Sequence, residues 1–127
     1  MTRRLFAVSL LLLFAAPLTL CAGPNGPSHT WKGYVTDTFC GFNRVTKPPT
    51  ASCTFKCVEE QHAKYAFYNF ADKKVYVLNP QDQAAKFAGQ AVVVTGIVGG
   101  HEEFATEKGP SAGAIITASS ITSAKTQ

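Results

Sequence analysis

After residue 30 the chain alternates apolar and polar positions in five short stretches, and between them two stretches change to helical spacing. Residues 30–36 alternate large and polar side chains, with Trp31 and Val35 on one face. Residues 64–70 are rich in aromatics, which favour a pleated surface. Ala71-Asp72-Lys73-Lys74 reads as a tight turn into a third strand at 75–78. Residues 91–98 carry the strongest strand pattern, and residues 114–122 form the fifth. Between strands three and four, Asn79 is expected to cap a helix with Pro80 at its first position. Asp82 stands in its first turn, Ala84, Phe87 and Ala88 form its apolar stripe, and Gly89 permits a left-handed exit. A second helix is predicted over residues 53–62, capped by Ser52. Residues 43–50 contain Pro48 and Pro49 and read as irregular.

This order predicts an all-β domain with one or two short helices, specifically a five-stranded OB-fold-like Greek-key barrel. A small β-sandwich and an SH3-like barrel are the alternatives. The helix between strands three and four favours the OB layout. Residues 99–113 are then a long connection between the last two strands, in which His101-Glu102-Glu103 reads as a solvated polar loop rather than as a contact with a metal or cationic ligand.

The N-terminus has a different pattern. Arg3 and Arg4 precede an apolar run from Leu5 that passes through Pro17 toward Gly23-Pro24-Asn25-Gly26-Pro27. Positive residues, an apolar stretch and then small residues make a secretory signal peptide over residues 1–22, with cleavage after Ala22. Residues 23–29 follow as a linker, residues 30–123 as the domain and residues 124–127 as a tail. The mature protein is thus expected in the periplasm or secreted, without a membrane span. Leu18-Thr19-Leu20-Cys21 also resembles a lipobox, so lipidation at Cys21 and a membrane-anchored lipoprotein are the alternative.

Export also changes the charge. The 127-residue chain has 12 Lys plus Arg against 8 Asp plus Glu. Loss of Arg3 and Arg4 leaves 12 − 2 = 10 against 8, a net charge of +2. No dense Lys/Arg cluster remains, so a nucleic-acid partner is not expected.

The informative chemistry is Cys40, Cys53 and Cys57. In an oxidising compartment, a disulfide from Cys40 to Cys53 or Cys57 would pin the first connection to the end of strand one. Cys53 and Cys57 pair poorly with each other, because side chains four apart on a helix leave in parallel directions. The same parallel arrangement suits a shared soft metal, zinc or copper, with Cys40 as third sulfur and His62, His101 or His29 as nitrogen. A third reading is redox chemistry started by Cys53 near the helix N-terminus. Asp37 and Glu59 have no spacing that makes them an acid–base pair, and no nucleophile–base set is present, so the chain is not expected to be an enzyme. The aromatics Trp31, Tyr34, Tyr65, Phe67, Tyr68 and Phe70 are read as packing rather than as a base-stacking face.

The segments Trp31-Lys-Gly-Tyr-Val-Thr-Asp37-Thr-Phe-Cys40-Gly41, Cys53-Thr-Phe-Lys-Cys57-Val and Phe87-Ala-Gly-Gln-Ala-Val-Val-Val-Thr-Gly96 resemble a group of small exported bacterial domains of unknown function. The resemblance spans most of residues 30–122 and is similar in layout to periplasmic OB-fold proteins. Members often carry a histidine shortly after the Cys-Gly pair, where this chain has Asn43 and Arg44. The resemblance implies a fold and an exported location, and no activity.

The expected function is therefore an exported, non-enzymatic module, without a cofactor, that binds a small molecule, peptide or envelope component. The alternative is a zinc- or copper-binding thiolate protein. A structural or stress-protective envelope protein without a specific ligand is the third reading.

Overall fold

The computed structural model describes residues 26–43 and 49–124. The expected signal peptide, its cleavage point after Ala22, and Cys21 lie outside the described residues. So do Arg44, the first part of the linker and most of the tail. Among the described residues no helix is long and apolar enough to cross a membrane.

The protein is mostly β, with five strands in a mixed sheet and two α-helices. Strand β1 (His29–Asp37) leads through a single 3-10 turn (Gly41–Asn43) to helix α1 (Ala51–Gln61). Strands β2 (Tyr65–Asn69) and β3 (Val75–Asn79) precede helix α2 (Gln81–Ala85). Strands β4 (Ala91–Thr106) and β5 (Gly109–Ser123) complete the fold. Pairing runs β1–β2–β3–β5–β4 and closes back onto β1, with β3 and β5 parallel and every other pair antiparallel.

The register explains the core. Val35 faces Phe67 across β1–β2, and Leu78 faces Ile116 across β3–β5. These four, with Val92 and Val94 from β4, have no solvent exposure. Each contributes about 1.5–3 kcal/mol by leaving water, so this cluster is the main source of stability. Tyr34, Tyr65 and Phe67 are buried, and Tyr34 stacks with Tyr68 and Phe70, with ring centroids 4.9–6.0 Å apart. Trp31 packs at the margin of the core, as its place on the Val35 face suggests.

Both helices depart from expectation at their ends. Thr50, not Ser52, caps α1: its side chain accepts the Cys53 N–H at 3.1 Å while its own backbone stays extended. Both hydroxyls can cap, but Ser52 lies inside the first turn once Pro49 ends the preceding loop. Asn79 does not cap α2. It ends β3 and joins a cis peptide to Pro80, which occupies the cap position without a side-chain hydrogen bond. The α2 helix is held by Gln81 instead, whose amide accepts from the Tyr65 N–H and donates to the carbonyls of Tyr65 and Leu78. Ala84 and Ala88 are buried as expected, and Gly89 takes the left-handed exit at φ +70.

The largest correction concerns residues 99–113. They are not a loop. β4 and β5 continue as one antiparallel hairpin to a turn at Glu107-Lys108, where the Thr106 hydroxyl accepts from the Lys108 N–H and donates to the Gly109 carbonyl. Register shifts after Thr95 and after Val98 bend the hairpin, and Gly100 has φ +74 at the second of them. Beyond that bend one face of the arm (Glu102, Phe104, Thr106) is half-buried or buried and the other exposed, but the inward positions are mostly polar or glycine, so no apolar alternation marks it as strand.

Candidate functional site

Asp37 ends β1 and is wholly buried. Its Oδ1 accepts the backbone N–H groups of Phe39, Cys40 and Gly41 at 2.9, 2.8 and 3.2 Å. A short carboxylate side chain that binds the amides two to four residues ahead folds the chain into a tight corner. Gly41 completes it, because a Cβ there would stand 1.9 Å from the Thr36 hydroxyl. Thr38 ties the corner to the exit of α1, accepting the Lys64 N–H on its side chain and donating its own N–H to the Lys64 carbonyl.

This corner presents Cys40 to α1. The Cys40 and Cys57 sulfurs lie 2.8 Å apart, and both thiols are free. Cys57 is 6% exposed on the buried side of α1, whereas Cys40 is half-buried. A carboxylate oxygen of Asp37 and the two sulfurs all fall within 4.8 Å of one another. Asp37 Oδ2 is buried without a hydrogen bond of normal geometry, and the Cys57 thiol is the side-chain donor that faces the carboxylate.

Burial dominates the electrostatics. It raises the Asp37 carboxyl above its ordinary value, and the three backbone amides and the Cys57 thiol offset only part of that. Burial likewise pushes the Cys57 thiol up to about 12, with the contact to Cys40 and the negative field of Asp37 adding to it. Cys57 is thus a protonated thiol at neutral pH.

Of the sequence-predicted site residues, the structure unites Cys40 and Cys57 only. Cys53 is exposed; it shares an open cleft of about 240 Å³ with Phe39, Cys40, Lys56 and Cys57, outside the close cluster. His62 is the left-handed C-cap of α1, with φ 53 and its N–H on the Cys57 carbonyl. It is exposed, as is His101 on the β4 arm, and His29 opens β1 in contact with Trp31. The proposed set of three sulfurs and a histidine is therefore not assembled among the described residues. Two sulfurs on one tetrahedral zinc at Zn–S of about 2.3 Å would be separated by about 3.8 Å. The observed 2.8 Å is too short for two sulfurs that share a tetrahedral zinc.

Asp37 is the residue that sequence reasoning passed over as a partner of the sulfurs. Its signal was the Asp-x-x-Cys spacing, since an aspartate three residues before a cysteine can hold that cysteine's amide.

A second feature lies on the other side of the corner. Phe42 meets Phe104 of the β4 arm edge-on at 5.1 Å, and the Glu107 N–H reaches the Phe39 carbonyl at 3.5 Å. Lys64 and Glu102 form an ion pair between the start of β2 and the arm. The arm so held borders an open cleft of about 520 Å³ over β3, lined by Phe42, Lys73, Lys74, Tyr76, His101 and Gly113 among others. Among the described residues no acidic side chain lines it. Lys73 and Lys74 project there from the turn in which Asn69 Oδ1 and Asp72 Oδ1 accept the Ala71 and Lys74 N–H groups. Tyr76 donates its hydroxyl to Asp72 Oδ2 at 2.6 Å, and burial followed by that carboxylate raises its phenol to about 12.

Compared with protein-family models, with curated proteins and with solved structures, the chain matches none.

Proposed function

We propose that this protein is an exported, non-enzymatic binding module of OB-type layout, and that its ligand is an anionic small molecule, peptide or envelope component. The strand ring β1–β2–β3–β5–β4, the parallel β3–β5 pair and the position of α2 between β3 and β4 support the OB reading. In that layout ligands lie over strands two and three, between the first and last connections. The cationic cleft occupies that region, with Phe42 from the first connection and His101 and Gly113 from the arm.

The observation that carries the proposal is the lining itself. Lys73, Lys74 and His101 line the cleft with the aromatics Phe42 and Tyr76, and the carboxylate nearest to them, Asp72, is occupied by the Tyr76 hydroxyl and the Lys74 N–H. Lysines there draw carboxylate or phosphate groups, and the aromatic rings hold the body of a ligand. Density of positive charge is too low for a nucleic-acid track.

An NMR titration of the mature protein with a short oligoglutamate peptide tests this. Amide shifts should concentrate at residues 73–76 and 112–114 and disappear in Lys73→Ala/Lys74→Ala. A single-stranded oligonucleotide should produce no comparable shifts. If the peptide moves no amide in the cleft at low salt, or if the double variant binds as well as the parent, the reading fails.

A further inference from the structure

Cys40 and Cys57 belong to no part of the cationic cleft, and a purely structural account leaves one atom unexplained. The corner needs a single acceptor oxygen, and Oδ1 of Asp37 supplies it to three amides. Asparagine can do the same without placing a carboxylate in a buried position. Here Oδ2 is buried without a hydrogen bond of normal geometry, and the side-chain donor that faces the carboxylate is the thiol of Cys57. A buried carboxylate whose second oxygen has only a thiol for a donor is costly unless the site uses it.

The sulfurs are also unequal. Cys57 is buried and Cys40 half-buried, and both line the smaller cleft together with the exposed Cys53, Phe39, Lys56 and Gln61. Of the close pair, Cys40 is the sulfur that a reagent in that cleft meets more readily. To bond, the sulfurs need only close from 2.8 Å to about 2.05 Å, a movement that the side chains make within the fold.

We propose that Cys40 and Cys57 form a thiol–disulfide exchange site, in which Cys40 takes up a low-molecular-weight disulfide and Asp37 accepts the proton of Cys57 as the pair closes. In the first step Cys40 gives its proton to solvent and its Sγ attacks one sulfur of the disulfide RS–SR. A Cys40–S–S–R bond forms and RS⁻ leaves. In the second step the Cys57 S–H proton passes to Asp37 Oδ2 and the Cys57 sulfur attacks Cys40 Sγ. The Cys40–Cys57 bond forms and the second RS⁻ leaves, collecting a proton from solvent as Asp37 later releases its own. Two protein thiols are oxidised and one RS–SR is reduced to two RSH. Asp37 is needed because Cys57 holds its proton at neutral pH, and only a thiolate attacks a disulfide. The site undergoes this once per chain, so it adds a covalent state to the binding module rather than a turnover.

The test follows the reduced mature protein by intact mass after addition of oxidised glutathione, with circular dichroism to establish that each variant is folded. The parent and Cys53→Ser should both lose two hydrogens with little lasting glutathione adduct. Cys57→Ser should stop at a stable adduct on Cys40, and Cys40→Ser should leave Cys57 unmodified. Asp37→Asn keeps the corner's acceptor and should form the Cys40 adduct at the parental rate, then close on the order of 100-fold more slowly, the usual worth of a positioned base. Closure in Asp37→Asn at the parental rate would assign Asp37 to structure alone and overturn its role. An adduct confined to Cys53, or one zinc or copper bound per chain that blocks the exchange, would overturn the site as a whole.

Discussion

The two clefts on either side of the Asp37 corner are built in opposite ways. The thiol pair is nearly dry: Asp37 and Cys57 are shielded by β1 and α1, and burial governs their proton affinities. The cationic cleft is open, with Lys73, Lys74 and His101 in solvent. A buried polar cluster concentrates energy in few groups, since each lost partner leaves an uncompensated atom. An open cleft spreads weak, salt-screened attractions over a surface that can exchange ligands. Internal chemistry therefore belongs to the first region, and reversible recognition to the second.

The sharpest way to break this contrast is Asp37→Ala. It orphans three amides at the corner, and the expected loss is about 4 kcal/mol on the scale of 1–3 kcal/mol per buried unsatisfied group. Urea unfolding of the reduced protein measures it, and Asp37→Asn should recover more than half. A loss under about 1 kcal/mol would mean that water replaces the carboxylate and that the corner is not dry.

Oxidation of the pair comes next. Cys40 and Cys57 are 17 residues apart, so bridging them should stabilise the chain by about 3 kcal/mol through the unfolded state. Parallel urea curves with and without reductant read this difference, and Cys57→Ala should abolish it.

Alkaline pH gives a more specific signal. Folding raises the Cys57 thiol from 9.0 to about 12, so the folded state keeps a proton that the unfolded chain releases. Its contribution is complete below pH 9 and is lost as pH rises from 9 toward 12, by at most about 1.4 kcal/mol per pH unit. The groups facing it are Asp37 and Cys40, with Lys56 and Glu60 along the cleft. Tyr34, Tyr65 and Tyr76 are raised as well and destabilise the folded state in the same direction. The difference between reduced parent and Cys57→Ala isolates the thiol. Identical pH profiles for the two would remove Cys57 from the buried cluster.

The least effect on stability belongs to the open side. Lys73→Ala and Lys74→Ala should each shift unfolding by less than about 0.5 kcal/mol, because both side chains are exposed. A larger loss would show that the lysines support the turn and not a ligand.

The sequence alone determined the elements that carry an apolar period. All five strands were legible, because Val35, Phe67, Leu78, Val92, Val94 and Ile116 recur at intervals that bury one face, and α2 was legible from Ala84 and Ala88 on one stripe. The leader pattern that predicts export lies outside the described residues, and the expected disulfide from Cys40 to a helix cysteine is a close contact of free thiols, Cys40 with Cys57. The length of the β4–β5 hairpin was not legible. Beyond Gly100 its strands are joined by backbone hydrogen bonds and turn mostly polar or small residues to the covered face, and a polar run with two glycines reads the same in a loop or in an arm. The cap of α1 was misplaced by two residues, because Thr50 and Ser52 are chemically equivalent and only the entering chain direction separates them. Only the tertiary structure decided which cysteine meets Cys40 and brought Asp37 against the pair. Proximity across 17 to 20 residues depends on how α1 docks on β1, and that docking is set by Thr54, Cys57 and Val58 packing under the ring rather than by any local pattern around the sulfurs.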